Sequence, residues 1–193
     1  MNRICVFCGS KMGINPRFLE TAIQLGRVLA ERRLDLVYGG ASIGLMGAVA
    51  DSVMAGGGKV VGVIPEAMAS KEVAHDGLTE MHVVSSMHER KSMMARLADA
   101  FVALPGGFGS FEELLEMITW AQLGIHQKPV GILNVSGYYD PLIQLFERAI
   151  EEDFIRPSNR QLFLVDQEPD RLIQTLLTHK LPEVKRWITE RET

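Results

Sequence analysis

The sequence predicts a three-layer α/β sandwich on a mostly parallel sheet, and three observations predict it. Apolar strand-length runs alternate with helix-length runs from one end of the chain to the other. Several strand runs are apolar at consecutive positions, as in Ala100–Leu104, which fits strands covered on both faces. Glycine turns follow three of them, at Gly9-Ser10, Gly39-Gly40 and Gly106-Gly107. In a doubly wound, Rossmann-like sheet such turns share the carboxyl edge, where ligands bind. The 193 residues suit a single domain, and no repeat or linker divides them.

The elements follow in order. Arg3 to Cys8 reads as a strand. Asn15-Pro16 opens a helix, with Asn as cap and Pro in the first turn, and its stripe runs through Phe18, Ala22, Leu25 and Leu29. Leu34 to Tyr38 is the next strand. A helix from about Gly44 carries Leu45, Met46, Val49, Val53 and Met54, and the glycines from Gly56 stop it. Lys59 to Ile64 is a strand that Pro65 ends. Glu66 to Thr79 shows no period and reads as a mobile or ligand-covering loop.

Met81 to Val84 is a short strand, and Ser86 caps a helix over Met87 to Ala98. After Ala100–Leu104 comes the central glycine turn, then a helix reaching Leu123. Lys128 to Asn134 is a strand, Asp140 to Glu152 a helix, Leu162 to Val165 a last strand and Pro169 to Thr178 a terminal helix. The charged tail from Pro182, around Trp187, is expected to dock as one more turn.

Composition narrows the function. Hydrophobic residues make up 47% and the formal net charge is −4, an ordinary globular balance that argues against nucleic acid or an anionic membrane as partner. No apolar run approaches the roughly 20 residues of a membrane helix. The chain starts directly on a strand, without a charged-then-apolar leader, so a cytoplasmic location is expected. Cys5 and Cys8 have a redox or zinc spacing, but no second ligand pair follows and both lie largely within a strand. No metal and no cofactor are predicted. Two nucleotide fingerprints fail: the glycines after the first strand do not spell G-x-G-x-x-G, and Gly58-Lys59-Val60 lacks the hydroxyl of a P-loop.

The stretch Leu104–Glu113 carries the chemistry. Its glycines permit a sharp turn and close ligand approach. The first turn of the following helix presents free N–H groups and a positive dipole end, an anion site. Glu113 follows one turn later. Ser110-x-x-Glu113 also reads as a capping box, in which Glu113 only bonds the backbone.

These residues resemble a known family. Pro105–Glu113 resembles the P-G-G-x-G-T-x-x-E signature of the LOG ("lonely guy") family of cytokinin riboside 5′-monophosphate phosphoribohydrolases, with Ser110 in the place of Thr. Met87–Lys91 resembles its M-H-x-R-K motif. Val6–Ser10, Tyr38–Gly40 with Gly44–Gly47, Val60–Pro65 and Ile118–His126 are similar as well, so the likeness runs from about residue 3 to 165. An older name for such proteins, lysine decarboxylase, finds no pyridoxal-binding lysine context here. Lys11 is a further departure, standing where many relatives carry a small residue; it could add charge near the phosphate or face water.

The resemblance implies hydrolysis of the N-glycosidic bond of a purine nucleoside 5′-monophosphate to free base and ribose 5-phosphate. It implies Glu113 and Arg90 as catalytic residues. It implies substrate binding by Glu72, Arg90, Lys91, the turn Gly106, Gly107, Phe108, Gly109, Ser110, Phe111 and Glu112, and Thr119. Gly9, Ser10, Gly39 and Gly40 are candidate phosphate-turn residues. His88 reads as a surface or outer residue. The alternatives are an AMP nucleosidase of purine salvage and a non-catalytic nucleotide or molybdenum-cofactor carrier, against which an intact Arg90 and Glu113 speak.

On the central helix, Leu114, Leu115, Ile118 and Ala121 form one apolar side, and Met117 and Trp120 another. Two apolar sides need two partners, the sheet and either a second subunit or the loop from Glu66 to Thr79. The reading preferred is a homodimer, as the resemblance also implies.

Overall fold

A computed structural model of the chain describes residues 1–69 and 74–182. Glu72 and the tail around Trp187 lie outside the described residues. Seven strands form one sheet: β1 (Arg3–Phe7), β2 (Asp35–Tyr38), β3 (Val60–Pro65), β4 (Glu80–Val84), β5 (Ala100–Ala103), β6 (Val130–Leu133) and β7 (Phe163–Asp166). Their order is β4-β3-β2-β1-β5-β6-β7, and every described pairing is parallel. The expected "mostly parallel" sheet is therefore parallel throughout its described length.

The helices α1 (Pro16–Glu31), α2 (Gly44–Ala55), α3 (Glu66–Met68), α4 (Met87–Leu97), α5 (Phe108–Gln122), α6 (Asp140–Glu151) and α7 (Pro169–Thr178) fill the crossovers. Parallel strands require such crossovers, and burial on both faces follows. One core holds Ile4, Val6, Leu36 and Val102 against α1, α2 and α7. The other holds Cys5, Phe7, Val37 and Phe101 against α4, α5 and α6. Each fully buried aliphatic or aromatic side chain contributes about 1.5–3 kcal/mol, so the central strands supply much of the fold's stability. Cys5 and Cys8 are free thiols, and each packs in a different one of these two cores.

Local signals place the helices. Asn15 Oδ1 accepts from Arg17 N at 3.0 Å, with Pro16 opening α1. Ser86 Oγ accepts from Glu89 N at 3.2 Å at the start of α4. The unpatterned stretch from Glu66 begins as the short turn α3, and its far end is tied down where His75 N donates to Gly40 O at 2.9 Å. Reversal of strand order falls between β1 and β5. Gly9 knits that edge together: its N–H donates to Pro105 O, and its carbonyl accepts from Leu45 N, both at 3.0 Å.

The expected sides of α5 need one correction. Leu114, Met117 and Ala121 are all buried, and Met117 packs with Leu114 on the sheet. Leu115 points outward, and Ile118 and Trp120 are half-buried. Met117 lies only about 60° round the helix from Leu114, close enough to share the inner face.

Candidate active site

The switch point carries a cavity of about 320 Å³. Its floor is the end of β1 with Gly9 and Ser10, and its walls come from Gly39, α4 and the start of α5. α5 begins directly after Gly107, which caps it by backbone alone. The first helical bond of that turn runs from Phe111 N to Gly107 O at 3.1 Å. The N–H groups of Phe108, Gly109 and Ser110 precede it and lie at the positive end of the helix. Ser110 is buried beneath the turn. A Cβ on Gly106 would come within 2.1 Å of its Oγ, so that position admits only glycine.

Arg90 from α4 and Glu113 from α5 meet on the cavity wall. Arg90 Nη1 donates to Glu113 Oε1 at 3.0 Å, and Arg90 Nε donates to the Val63 carbonyl at 3.2 Å. Both side chains are buried, at 8% and 7% exposure. Gly39 makes room for the pair, since a Cβ there would lie 2.2 Å from Arg90 Nη2. Burial pushes the Glu113 carboxyl above its ordinary range, and the Arg90 guanidinium pulls it part of the way back. The capping-box alternative fails: Ser110 is the third helical residue, and Glu113 faces Arg90 rather than the helix start.

The other expected residues divide. Gly9, Ser10, Gly39, Gly107, Phe108, Gly109 and Ser110 line the cavity with Arg90 and Glu113. Gly106 lines an adjoining cavity of about 370 Å³, bounded also by Lys11, Phe18, Leu45 and Tyr138. Gly40 stands behind the wall, its carbonyl engaged by His75. Phe111 packs against Tyr138 and Tyr139.

Lys91 does not reach the cavity. Its Nζ donates to Glu112 Oε1 at 2.8 Å and to Glu116 Oε1 at 3.0 Å, tying α4 to α5. Burial alone would lower that ammonium, and the two carboxylates more than offset it, so its pKa is raised. Thr119 is exposed on α5, outside the cavity lining, and His88 is exposed as expected. The sequence reading missed Cys8, Met46, Met68, Met87 and Met94, which give the cavity a soft apolar wall. It also missed Tyr138 and Tyr139. Only the paired aromatics just ahead of Asp140-Pro141 could have drawn attention to those two.

The fold and the site thus define a doubly wound α/β protein with a glycine turn opening a helix and a buried acid–guanidinium pair at its switch point. Comparison with known proteins narrows this class. The family described as "Possible lysine decarboxylase" matches residues 46–176. The cytokinin riboside 5′-monophosphate phosphoribohydrolase LOG7 of Arabidopsis thaliana is 53% identical over 174 residues, spanning 90% of this chain and 80% of that protein. The enzyme LOG of Oryza sativa subsp. japonica is 54% identical over 162 residues, spanning 84% and 67% respectively. The chain belongs to this LOG family.

In fold it also matches the molybdenum cofactor binding protein of Rippkaea orientalis, with a TM-score of 0.69 at 20% identity over 92% of this chain and 98% of that one. At that identity the likeness concerns the fold alone.

The raised Glu113 carboxyl gives a direct prediction. A raised native value means that the native state holds this proton to higher pH than the unfolded chain. The group's contribution to stability is fully present below its ordinary 4.5 and is lost as pH rises through the native value. Carbon-detected NMR titration of Glu113 should give a midpoint above 4.5, and Arg90→Met should raise it further. A midpoint at or below the ordinary value contradicts this reading of the site.

Proposed function

We propose that this chain hydrolyses the N-glycosidic bond of a purine riboside 5′-monophosphate, releasing the base and ribose 5-phosphate. The observation that carries the reading is the buried contact of Arg90 with Glu113, 3.0 Å long, on the wall of a cavity that also holds the first turn of α5. The relatives named as cytokinin riboside 5′-monophosphate phosphoribohydrolases support the substrate class.

The phosphate rests on the N–H groups of Phe108, Gly109 and Ser110, with Gly9 and Ser10 opposite. The sugar then lies toward Glu113. As the bond from C1′ to the base nitrogen breaks, its electron pair leaves with the base and positive charge grows on the sugar. The Glu113 carboxylate, held in a low-dielectric wall, stabilises that charge and orients a water toward C1′. The water oxygen bonds to C1′, and one of its protons ends on the departing base. Arg90 keeps a permanent charge that fixes the carboxylate and faces the sugar phosphate. Glu72, Lys91, Glu112 and Thr119 enter the proposal as substrate-binding residues.

The exposed apolar residues Met87 and Phe108 line this cavity, and Leu115 is exposed further along α5. They support a homodimer packed through that face, with Thr119 beside the contact.

Three measurements test the proposal. Purified protein should release free base from AMP and from isopentenyladenosine monophosphate, with preference for the prenylated substrate. Glu113→Gln should lower release by about a hundredfold or more while nucleotide binding persists. Full activity in that variant contradicts the mechanism, equal turnover of both substrates points to purine salvage, and no release from either removes the hydrolase reading. Sedimentation equilibrium should give about twice the 21.4 kDa chain mass, and a single-chain mass contradicts the dimer.

A further inference from the structure

The carbonyl oxygens of the central turn have an unusual set of partners. Leu104 O accepts from Tyr139 Oη at 2.7 Å, Pro105 O from Gly9 N at 3.0 Å, Gly106 O from Tyr138 Oη at 2.5 Å, and Gly107 O from Phe111 N at 3.1 Å. Four consecutive acceptors are thus engaged by groups outside the turn or later in the helix. A planar, trans peptide unit whose carbonyl is held on one side presents the N–H of the next residue on the other: the unit held by Tyr138 presents the Gly107 N–H, and the unit held by Tyr139 ends in Pro105, which has none. Carbonyl oxygens facing the cavity would repel an anion, and their N–H groups attract one.

The two tyrosines are themselves held by a purpose-built turn. Asn134, buried at 5% exposure, accepts from Tyr139 N through Oδ1 at 2.7 Å and donates through Nδ2 to Asp140 Oδ1 at 2.7 Å. Ser136 and Gly137 are both left-handed, with φ of 53° and 73°, which is strained for Ser136. Tyr138 N then donates to Val135 O at 3.0 Å. The rings are packed as well: Tyr138 against Phe18, Phe111 and Tyr139, with centroids 5.6, 6.3 and 5.1 Å apart.

We propose that Tyr138 and Tyr139 are positioning residues that brace the turn 104–107 through its carbonyls: Tyr139 holds the Leu104 carbonyl, Tyr138 sets the Gly106–Gly107 unit, and together they keep the Gly107 N–H and the start of α5 that follows it aimed at a substrate phosphate. Neither touches the reacting atoms. The inference rests on the reading of this turn as the phosphate seat.

Tyr138→Phe tests it, because the Tyr138 side chain is partly exposed and its ring packing survives the change. Binding is read by calorimetry with ribose 5-phosphate and with adenine, two probes that differ in carrying the phosphate. Tyr138→Phe should weaken ribose 5-phosphate about tenfold, the effect of one lost hydrogen bond, and leave adenine within about twofold. The melting temperature should hold. Tyr139→Phe, whose hydroxyl is buried, should weaken ribose 5-phosphate similarly at a lower melting temperature.

Unchanged affinity for ribose 5-phosphate in Tyr138→Phe overturns the brace. So does a parallel loss of both probes, and so does a wild-type protein that fails to bind ribose 5-phosphate. A wild-type protein that binds ribose 5-phosphate in this way yet releases no base from AMP removes the hydrolase reading and leaves the brace standing.

Discussion

Two opposite charges buried together at the end of a sheet constrain everything else in this molecule. Arg90 and Glu113 are each nearly shut off from water. Losing either partner would strand the other at a cost of about 3–5 kcal/mol. Their neighbourhood is arranged to hold them: Val63 O takes a second guanidinium N–H, and Gly39 has no side chain where Arg90 must pass. Such a pair is poor value as a stabilising device, since apolar residues of the same volume would serve as well or better. Its retention on a cavity wall fits a chemical task.

Topology delivers that arrangement. With β1 and β5 adjacent at the reversal of strand order, the turns after them meet, and Gly9 hydrogen-bonds across to Pro105 and Leu45. α4 and α5 then lie on one face of the sheet, where the Lys91 bonds to Glu112 and Glu116 lock them side by side. The glycine turn and the acid thus come from one stretch of chain and the guanidinium from another, brought together at one sheet edge.

Much of this was legible in the sequence. Consecutive apolar strands and capped helices gave the architecture, since burial on two faces and Asn15-Pro16 or Ser86 leave local marks. The glycine turns marked the ligand edge, and the motifs around Arg90 and Glu113 marked the pair. What escaped depends on partners distant along the chain. Nothing local says that Lys91 would turn to Glu112 and Glu116, or that Tyr138 and Tyr139 would reach back more than thirty residues to the carbonyls of Leu104 and Gly106. Met117 was placed on the wrong side of α5 because a helical wheel fixes angles but not how wide the buried stripe is. The methionines of the cavity wall carry no spacing of their own and became visible only as neighbours in space.

The most direct test of the account is a crystal structure of the Glu113→Gln protein with AMP bound. The account predicts the phosphate on the N–H groups of Phe108, Gly109 and Ser110, and C1′ within about 4 Å of both the substituted side chain and the Arg90 guanidinium. A nucleotide seated with its phosphate elsewhere, or with its sugar turned away from that pair, would contradict it.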